Sequence, residues 1–241
     1  MSIKVFFSAF NIDDTKRKWL VRFLFIVLSV LVSLAILFPV GDPDLEKNSI
    51  LIEKMMNGEV DPFTTDFTPL VDNAIYLLSI EALTYLVMCI SVVSAAAFIY
   101  GRRKIKTKEH RKKIIRNTIL ALLMLLVIFP MFYSLYVNFY LLFALAAVYV
   151  SMIGCCFVSG DYSFGASFSK GFRFVKKNAP TCIVNFILMF ILFYTSEYVI
   201  EALKEGHAYM TILAGLAGPL EVYKNLVFGR MVASIYVFGE K

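Results

Sequence analysis

The fold of this chain is decided by residues 19–40, WLVRFLFIVLSVLVSLAILFPV, in which the one charged side chain is Arg22. About 20 apolar residues in a helix are long enough to cross the ~30 Å hydrocarbon core of a bilayer. A strand of a membrane barrel would alternate apolar and polar residues, and this stretch does not. Residues 19–40 therefore predict a membrane-spanning α-helix.

Similar apolar blocks recur along the chain, at residues 74–100, 118–137, 139–158, 183–203 and 210–237. The whole sequence is 59 % hydrophobic and 17 % charged, whereas soluble domains carry about 25 % charged residues. Helices satisfy their backbone hydrogen bonds internally, as hydrocarbon demands. We therefore expect an all-α, polytopic membrane bundle of about six transmembrane helices, forming a single transmembrane domain over residues 1–241.

A cleaved signal peptide is the alternative interpretation of the first block. The apolar core of a signal peptide has about 7–15 residues and is followed by a small-residue cleavage site. This block is longer, and residues 38–42, FPVGD, lack such a site. The pattern favours a helix that stays in the membrane.

The charges of the connecting segments alternate in sign. Residues 101–116 hold nine basic residues and one acid, residues 160–179 hold four and one, and residues 41–73 hold eight acids and two basic residues. Short basic loops stay on the cytoplasmic side. This predicts a plasma-membrane protein with both termini and a basic loop (101–116) in the cytoplasm and an acidic extracytoplasmic loop (41–73). Because the basic residues flank spans, binding to nucleic acid is not expected.

Two further segments have amphipathic patterns. In residues 1–15, Ile3, Phe6, Phe7 and Phe10 recur at helical spacing, which predicts a helix on the cytoplasmic surface. In the acidic loop, Asp42-Pro43-Asp44 and Gly58 are a helix start and stop. The apolar side of this short helix is expected to cover the outer mouth of the bundle with Leu45, Leu51, Ile52, Met55 and Met56.

Residues 163–178, SFGASFSKGFRFVKKN, are the most specific feature. On a helical wheel Phe164, Phe168, Phe172 and Val175 fall in one sector, and Lys170, Arg173 and Lys177 lie nearly opposite. An aromatic stripe backed by a basic face is typical of a helix in the headgroup layer of an anionic leaflet. The segment is either a connector that anchors two spans or an element that binds lipid or a partner.

This segment, placed between a two-span hairpin and two further spans, resembles six-span prokaryotic membrane proteins related to the membrane domain fused to some glycerophosphodiester phosphodiesterases. Such proteins have an aromatic, an alanine, a small residue, hydrophobics, then Lys/Arg and Asn at this place. The resemblance covers residues 116–236, with Pro130-Met131 where those proteins often have Pro-Gly. It implies architecture alone, because the phosphodiesterase chemistry belongs to a separate soluble domain.

Polar residues inside the predicted spans are Glu81, Glu221, Lys224 and Arg230, and such residues are costly in a membrane. Gly218-Pro219 predict a break in the sixth span, and broken spans often line transport sites. In the other interpretation, Glu221 and Lys224 neutralise each other at i, i+3 while Arg230 extends to the cytoplasmic surface.

No catalytic signature is present. The sequence has no HExxH, phosphate-binding glycine loop or serine elbow, and its four cysteines and two histidines lack zinc-ligand spacing. We expect neither an enzyme nor a cofactor or metal site.

Two functions remain. The first is a lipid- or partner-binding interaction or assembly subunit, with membrane lipids and other membrane subunits as partners. The second is a permease-like transport subunit, for example of an exporter with a separate ATPase. The candidate binding residues on the cytoplasmic basic surface are Arg102, Arg103, Lys104, Lys112, Lys113, Phe164, Phe168, Lys170, Phe172, Arg173 and Lys177.

Overall fold

The computed structural model describes residues 2–11, 18–59, 65–103, 107–138, 140–205 and 210–239. Within these ranges the chain forms nine α-helices and no strand, which confirms the all-α class. The helices are α1 (Ser2–Ala9), α2 (Lys18–Leu37), α3 (Leu45–Met56), α4 (Thr68–Arg102), α5 (Lys108–Asn138), α6 (Tyr140–Val158), α7 (Phe164–Lys177), α8 (Ala179–Glu205) and α9 (Met210–Gly239).

Helix α9 forms the centre of the bundle and packs against α1, α2, α4, α6 and α8. Two of its glycines allow this close approach. A Cβ at Gly218 would lie 2.6 Å from the Ser29 carbonyl oxygen of α2, and a Cβ at Gly229 would lie 2.6 Å from the Ser91 carbonyl carbon of α4. Small residues at helix contacts are the usual way in which membrane helices gain packing energy.

The long helices alternate in direction. Helix α4 runs parallel to α9, α2 and α8 run antiparallel to it, and α5 runs antiparallel to both α4 and α6. Two contact pairs fix each direction relative to α9: Ser33–Gly215 and Phe25–Tyr223 for α2, Ser94–Leu226 and Arg103–Tyr236 for α4, and Glu197–Lys224 and Phe186–Phe228 for α8. Helix α5 begins a few residues after α4 ends and finishes just before α6 begins, so the contacts Tyr85–Leu122 and Asn117–Phe157 show that it runs back along both helices.

Three of the described helical stretches are long and apolar enough to cross a membrane, Trp19–Leu37, Thr68–Arg102 and Ala179–Ala202. A shorter apolar stretch, Leu145–Val158, lies in α6. These stretches are typical of a membrane protein.

The predicted break in the last span is wrong, because α9 is continuous through Pro219. A proline inside a helix leaves the carbonyl four residues earlier without its usual N–H partner. That carbonyl belongs to Gly215, and it accepts a hydrogen bond of 2.8 Å from the Ser33 hydroxyl of α2. The neighbouring helix thus supplies the hydrogen bond that Pro219 cannot donate.

Helices also extend into both predicted loops. Helix α4 continues to Arg102 and α5 begins at Lys108, so most of the basic segment 101–116 is helical, because its Lys, Arg and Glu residues favour helix. At the other end α4 begins at Thr68, before the predicted start at residue 74. The Thr68 side chain and amide donate hydrogen bonds to Asp66 and hold the pKa of that carboxyl below its usual value.

Helix α3 is present in the acidic segment, and its cap is Asp44, whose carboxylate accepts a 3.0 Å hydrogen bond from the Glu46 amide. It ends just before Gly58, which has a φ of +71°, as expected for glycine after a helix. The predicted apolar packing is wrong for Ile52, Met55 and Met56, which are exposed, Met56 at 83 %, whereas Leu51 is partly buried. The Leu45 side chain and residues 60–64 lie outside the described residues.

The sequence predicted that the first helix lies on the cytoplasmic surface. In the structure α1 packs instead against α8 and α9. Its buried stripe is Val5 and Ala9, while Phe7 is 67 % exposed. The Phe10 carbonyl accepts a 3.3 Å hydrogen bond from the Tyr223 hydroxyl. Tyr223 lies about 24 Å along the axis of α9 from the last residue of that helix. The Ile3 side chain and residues 12–15 of the predicted surface helix lie outside the described residues.

Candidate anion-binding site at the α7 end of the bundle

Helix α7 is held in place by small residues. Ser163 caps its start, since its hydroxyl accepts a 3.4 Å hydrogen bond from the Ala166 amide. Ser167, Gly171 and Val175 recur every four residues and are buried, and α6 is the main neighbour of α7. A Cβ at Gly171 would lie 2.9 Å from the Ile153 Cα of α6. This close contact fixes the rotation of α7 and the direction in which its other side chains point.

Three of the four phenylalanines of α7, Phe164, Phe168 and Phe172, border this contact and remain about half exposed. The Phe164 ring lies 5.5 Å from Phe157, and the Phe172 ring lies 4.7 Å from Tyr149. Val175 was predicted to share their stripe, and that grouping is wrong because Val175 is buried. The exposed aromatic surface is therefore formed by the phenylalanines alone.

Three cations lie together on the far side of α7. Lys170, Arg173 and Lys177 are exposed and occur at i, i+3 and i+7, and we call them the α7 basic face. They line a shallow, open cavity of about 210 Å³, the α7 cavity, whose other lining residues are Cys156, Tyr162, Phe174, Tyr236 and Gly239. Among the described residues no carboxylate forms an ion pair with the α7 basic face.

The walls of the α7 cavity are aromatic. Tyr236 of α9 is buried, and its ring lies 5.6 Å from Phe174. Its hydroxyl accepts a 3.0 Å hydrogen bond from Arg103 Nη2. The Lys170 Nζ lies 5.5 Å from the centre of the Tyr162 ring, close enough for a cation–π interaction. The cavity is thus lined by aromatic side chains and has positive charges at its rim.

A separate ion pair closes the neighbouring junction. Arg103, at the end of α4, forms a salt bridge with Asp161, which follows Gly160 at a φ of +79° in the turn between α6 and α7. His110 Nε2 of α5 lies 3.7 Å from the same carboxylate. Asp161 is therefore bound to Arg103 and is not paired with the α7 basic face.

The structure brings together only part of the predicted surface. Lys170, Arg173 and Lys177 share one cavity, and Arg103 contacts its Tyr236 wall. The Arg102 guanidinium lies 5.7 Å from the Phe98 ring centre, and Lys112 and Lys113 are exposed on α5 and do not line the cavity. Lys104 lies outside the described residues.

Sequence reasoning missed the aromatic walls. Tyr162 and Phe174 are close to the basic residues in the chain, so the sequence could have indicated that they contribute to the same site. Tyr236 is 63 residues beyond Arg173, and nothing in the sequence places it against α7.

A second charged cluster lies in the middle of α9. Lys224 is 3 % exposed; its Nζ lies 2.6 Å from Glu221 and forms a salt bridge with Glu197 of α8. The predicted Glu221–Lys224 pair is confirmed, and Glu197 is an additional partner. Glu81 is exposed on α4 and does not join this cluster.

Arg230 was predicted to extend to the cytoplasmic surface, and this prediction is wrong. The side chain is 1 % exposed, and its guanidinium lies 5.2 Å from the Phe98 ring centre. Arg230 precedes the end of α9 by nine residues, which is about 14 Å along the helix axis. Its side chain is buried among the neighbouring helices and does not extend to that end.

Searches of protein-family models, curated proteins and solved structures found no match to the chain. The resemblance to membrane proteins related to the phosphodiesterases therefore stays a prediction. Within the described residues no group of three His, Cys, Asp or Glu side chains is placed to hold a metal ion.

Proposed function

We propose that this chain is a multi-pass membrane protein that binds anionic lipids or a membrane partner through its basic end, as an interaction or assembly subunit without catalytic activity. The observation that carries this proposal is the α7 basic face, three neighbouring cations with no carboxylate partner among the described residues. Near an anionic leaflet each Lys or Arg contributes about 1 kcal/mol of attraction.

The proposal includes six spans, formed by α2, α4, α5, α6, α8 and α9, in the plasma membrane of a prokaryote. The alternating directions of these helices support a chain that crosses back and forth. The basic segments 101–116 and 160–179 lie at the end where α4 and α9 finish and α5 begins. By the loop-charge rule this α7 end faces the cytoplasm, together with both termini.

Lipid retention tests the proposal. The chain is extracted from a mixed membrane in mild detergent, and co-purifying phospholipids are measured by mass spectrometry. Charge reversal at Lys170, Arg173 and Lys177 is expected to lower the ratio of anionic to zwitterionic lipid several-fold. Reversal at Lys112 and Lys113, which are exposed on α5, is the control and should lower the ratio less. An unchanged ratio in the triple variant, with an unchanged melting temperature, contradicts the lipid-binding role.

A transport function is the second candidate, because Lys224 and two glutamates lie in the middle of α9 and α8. Ionisable groups at membrane depth often mark transport pathways. In this case the chain is the permease of an exporter, and its ATPase docks on residues 101–116 or on α7. Affinity purification in mild detergent separates the two candidates. A stoichiometric nucleotide-binding subunit supports the permease and contradicts the first proposal.

A further inference from the structure

The α7 cavity is small and open on one side. Its volume is about 210 Å³, whereas pockets for drug-sized ligands typically enclose about 300–1,000 Å³. A phosphate group with its ester carbons fits, and the cations of the α7 basic face match its charge.

The chemistry of the rim favours phosphate over other small anions. Arg173 presents a planar fork of donors that matches two phosphate oxygens at once. Lys170 and Lys177 flank it on the same face of α7, about one turn away in each direction. Tyr162 and Phe174 are partly exposed lining residues that can contact the carbon atoms of an ester. The Tyr236 hydroxyl is neutral, so the phosphate charge is balanced by the two lysines and Arg173.

The position of the cavity supplies a source of phosphate esters. Lys177 is separated by Asn178 alone from the start of α8, and Ala179–Ala202 is long and apolar enough to cross the bilayer. The basic rim thus lies where a spanning helix enters the membrane, at the depth of phospholipid headgroups. Basic pockets in this location bind anionic headgroups in many membrane proteins.

We infer that the α7 cavity is a binding site for one phosphate ester group, supplied by the headgroup of an anionic phospholipid. This inference rests on the proposed function and goes beyond it, because it assigns a defined site with a stoichiometry of one. A diffuse basic surface has neither property.

Lys176 provides a matched control. It is an exposed cation on α7, between Arg173 and Lys177 in sequence, and it does not line the cavity. Removing its charge changes the basic surface of α7 by the same amount as removing the charge of Arg173. The two variants therefore separate a defined phosphate site from general attraction to an anionic leaflet.

The experiment uses the full chain, delipidated in detergent and titrated with phosphatidylglycerol, with bound lipids counted by native mass spectrometry. The wild type and Lys176→Gln should bind one lipid per chain with similar affinity. Arg173→Gln should bind about tenfold more weakly, the effect of losing a charge-assisted hydrogen-bond pair. Arg173→Lys should fall between them, because it keeps the charge and loses the fork. Melting temperatures of all variants show whether each is folded.

Soluble probes identify the source of the phosphate. Inorganic phosphate and glycerol 1-phosphate are added to the delipidated protein, and its melting temperature is recorded. Stabilisation by lipid alone supports the headgroup as the ligand. Equal stabilisation by inorganic phosphate, lost in Arg173→Gln, keeps the phosphate site and overturns the lipid as its source.

Two other outcomes overturn the inference. Equal weakening in Arg173→Gln and Lys176→Gln overturns the defined site while leaving the proposed basic surface in place. Tight lipid binding that no charge variant on α7 alters overturns both the site and the proposed function.

Discussion

At the residue scale, Lys224 is the side chain on which the interior charge balance of α8 and α9 depends. We expect Lys224→Met to destabilise the protein by about 1–3 kcal/mol, because it leaves the partly buried Glu221 and the half-exposed Glu197 without their shared cation. Unfolding by SDS in mixed micelles measures this loss. Replacing Glu197 and Glu221 by glutamine in the same chain should restore most of the stability, since no ion is then left unpaired.

The triple replacement is also the critical control for that prediction. If Lys224→Met alone is as stable as the wild type, the ion pairs of α8 and α9 contribute nothing and the cluster has no structural weight. If the triple variant is as unstable as the single variant, the loss comes from the changed shape of the side chain and not from its charge.

The contribution of Ser33 to stability depends on Pro219. Ser33→Ala should cost about 1 kcal/mol, because the Gly215 carbonyl loses the hydrogen bond that compensates for Pro219. In a Pro219→Ala background the residue at 219 donates its own N–H to that carbonyl, so Ser33→Ala should cost little. A double-mutant cycle in the SDS unfolding assay measures the coupling. Additive effects of the two changes would contradict this role for Ser33.

The residues differ in how far the sequence could predict them. The i, i+3 spacing of Glu221 and Lys224 gives their pairing directly, because local geometry decides it. Glu197, Ser33 and Phe98 are partners from other helices, and no local rule specifies which helix face meets which. For the same reason Arg230 was predicted to extend to the surface, although the packed helices bury it.

At the scale of single elements, the small stripe of α7 sets the position of the basic face. Gly171→Val should destabilise the protein by about 1–3 kcal/mol, since its side chain must enter the space of the Ile153 backbone. Displacement of α7 should also expose the buried Cys156, and maleimide labelling should become faster. Thermal unfolding and labelling rates are the two measurements.

Gly165 is the matched control on the same helix. A Cβ at Gly165 meets nothing within 4 Å, so Gly165→Ala should raise stability by about 0.5–1 kcal/mol through helix propensity. Equal losses at positions 165 and 171 would show that α7 does not depend on close contact with α6.

The helical wheel of α7 was right about the opposition of phenylalanines and cations, but it did not identify the side that packs on α6. Hydrophobicity favours Phe and Val for burial, whereas Ser167 and Gly171 are buried because they are small. Close contact between membrane helices selects for size more than for apolarity. The small and β-branched residues Ser167, Gly171 and Val175, spaced four apart, identify the side of α7 that packs on its neighbours.

At the scale of the whole molecule, the central place of α9 was not predictable from the sequence. Its glycines and proline suggested a broken span, and its charged residues are costly where lipid surrounds a helix. In the centre of the bundle the same residues have protein partners. The glycines contact α2 and α4, the Ser33 hydroxyl compensates for Pro219, and Glu197 pairs with Lys224. In α9 the irregular composition therefore accompanies contact with protein, since most of the described side chains from Ala217 to Tyr236 are buried.

The orientation of the bundle gives the last prediction. In a variant whose four native cysteines are replaced by alanine, single cysteines at Met56 of α3 and Lys112 of α5 report on opposite ends, since both positions are exposed. On intact cells a membrane-impermeant maleimide should label position 56 and not position 112. Permeabilised cells should show labelling at both. The physical reason is the charge difference between the acidic segment 41–73 and the basic segment 101–116. Labelling of position 112 on intact cells would reverse the topology and would place the α7 cavity outside the cell, away from the cytoplasmic leaflet that its cations are proposed to bind.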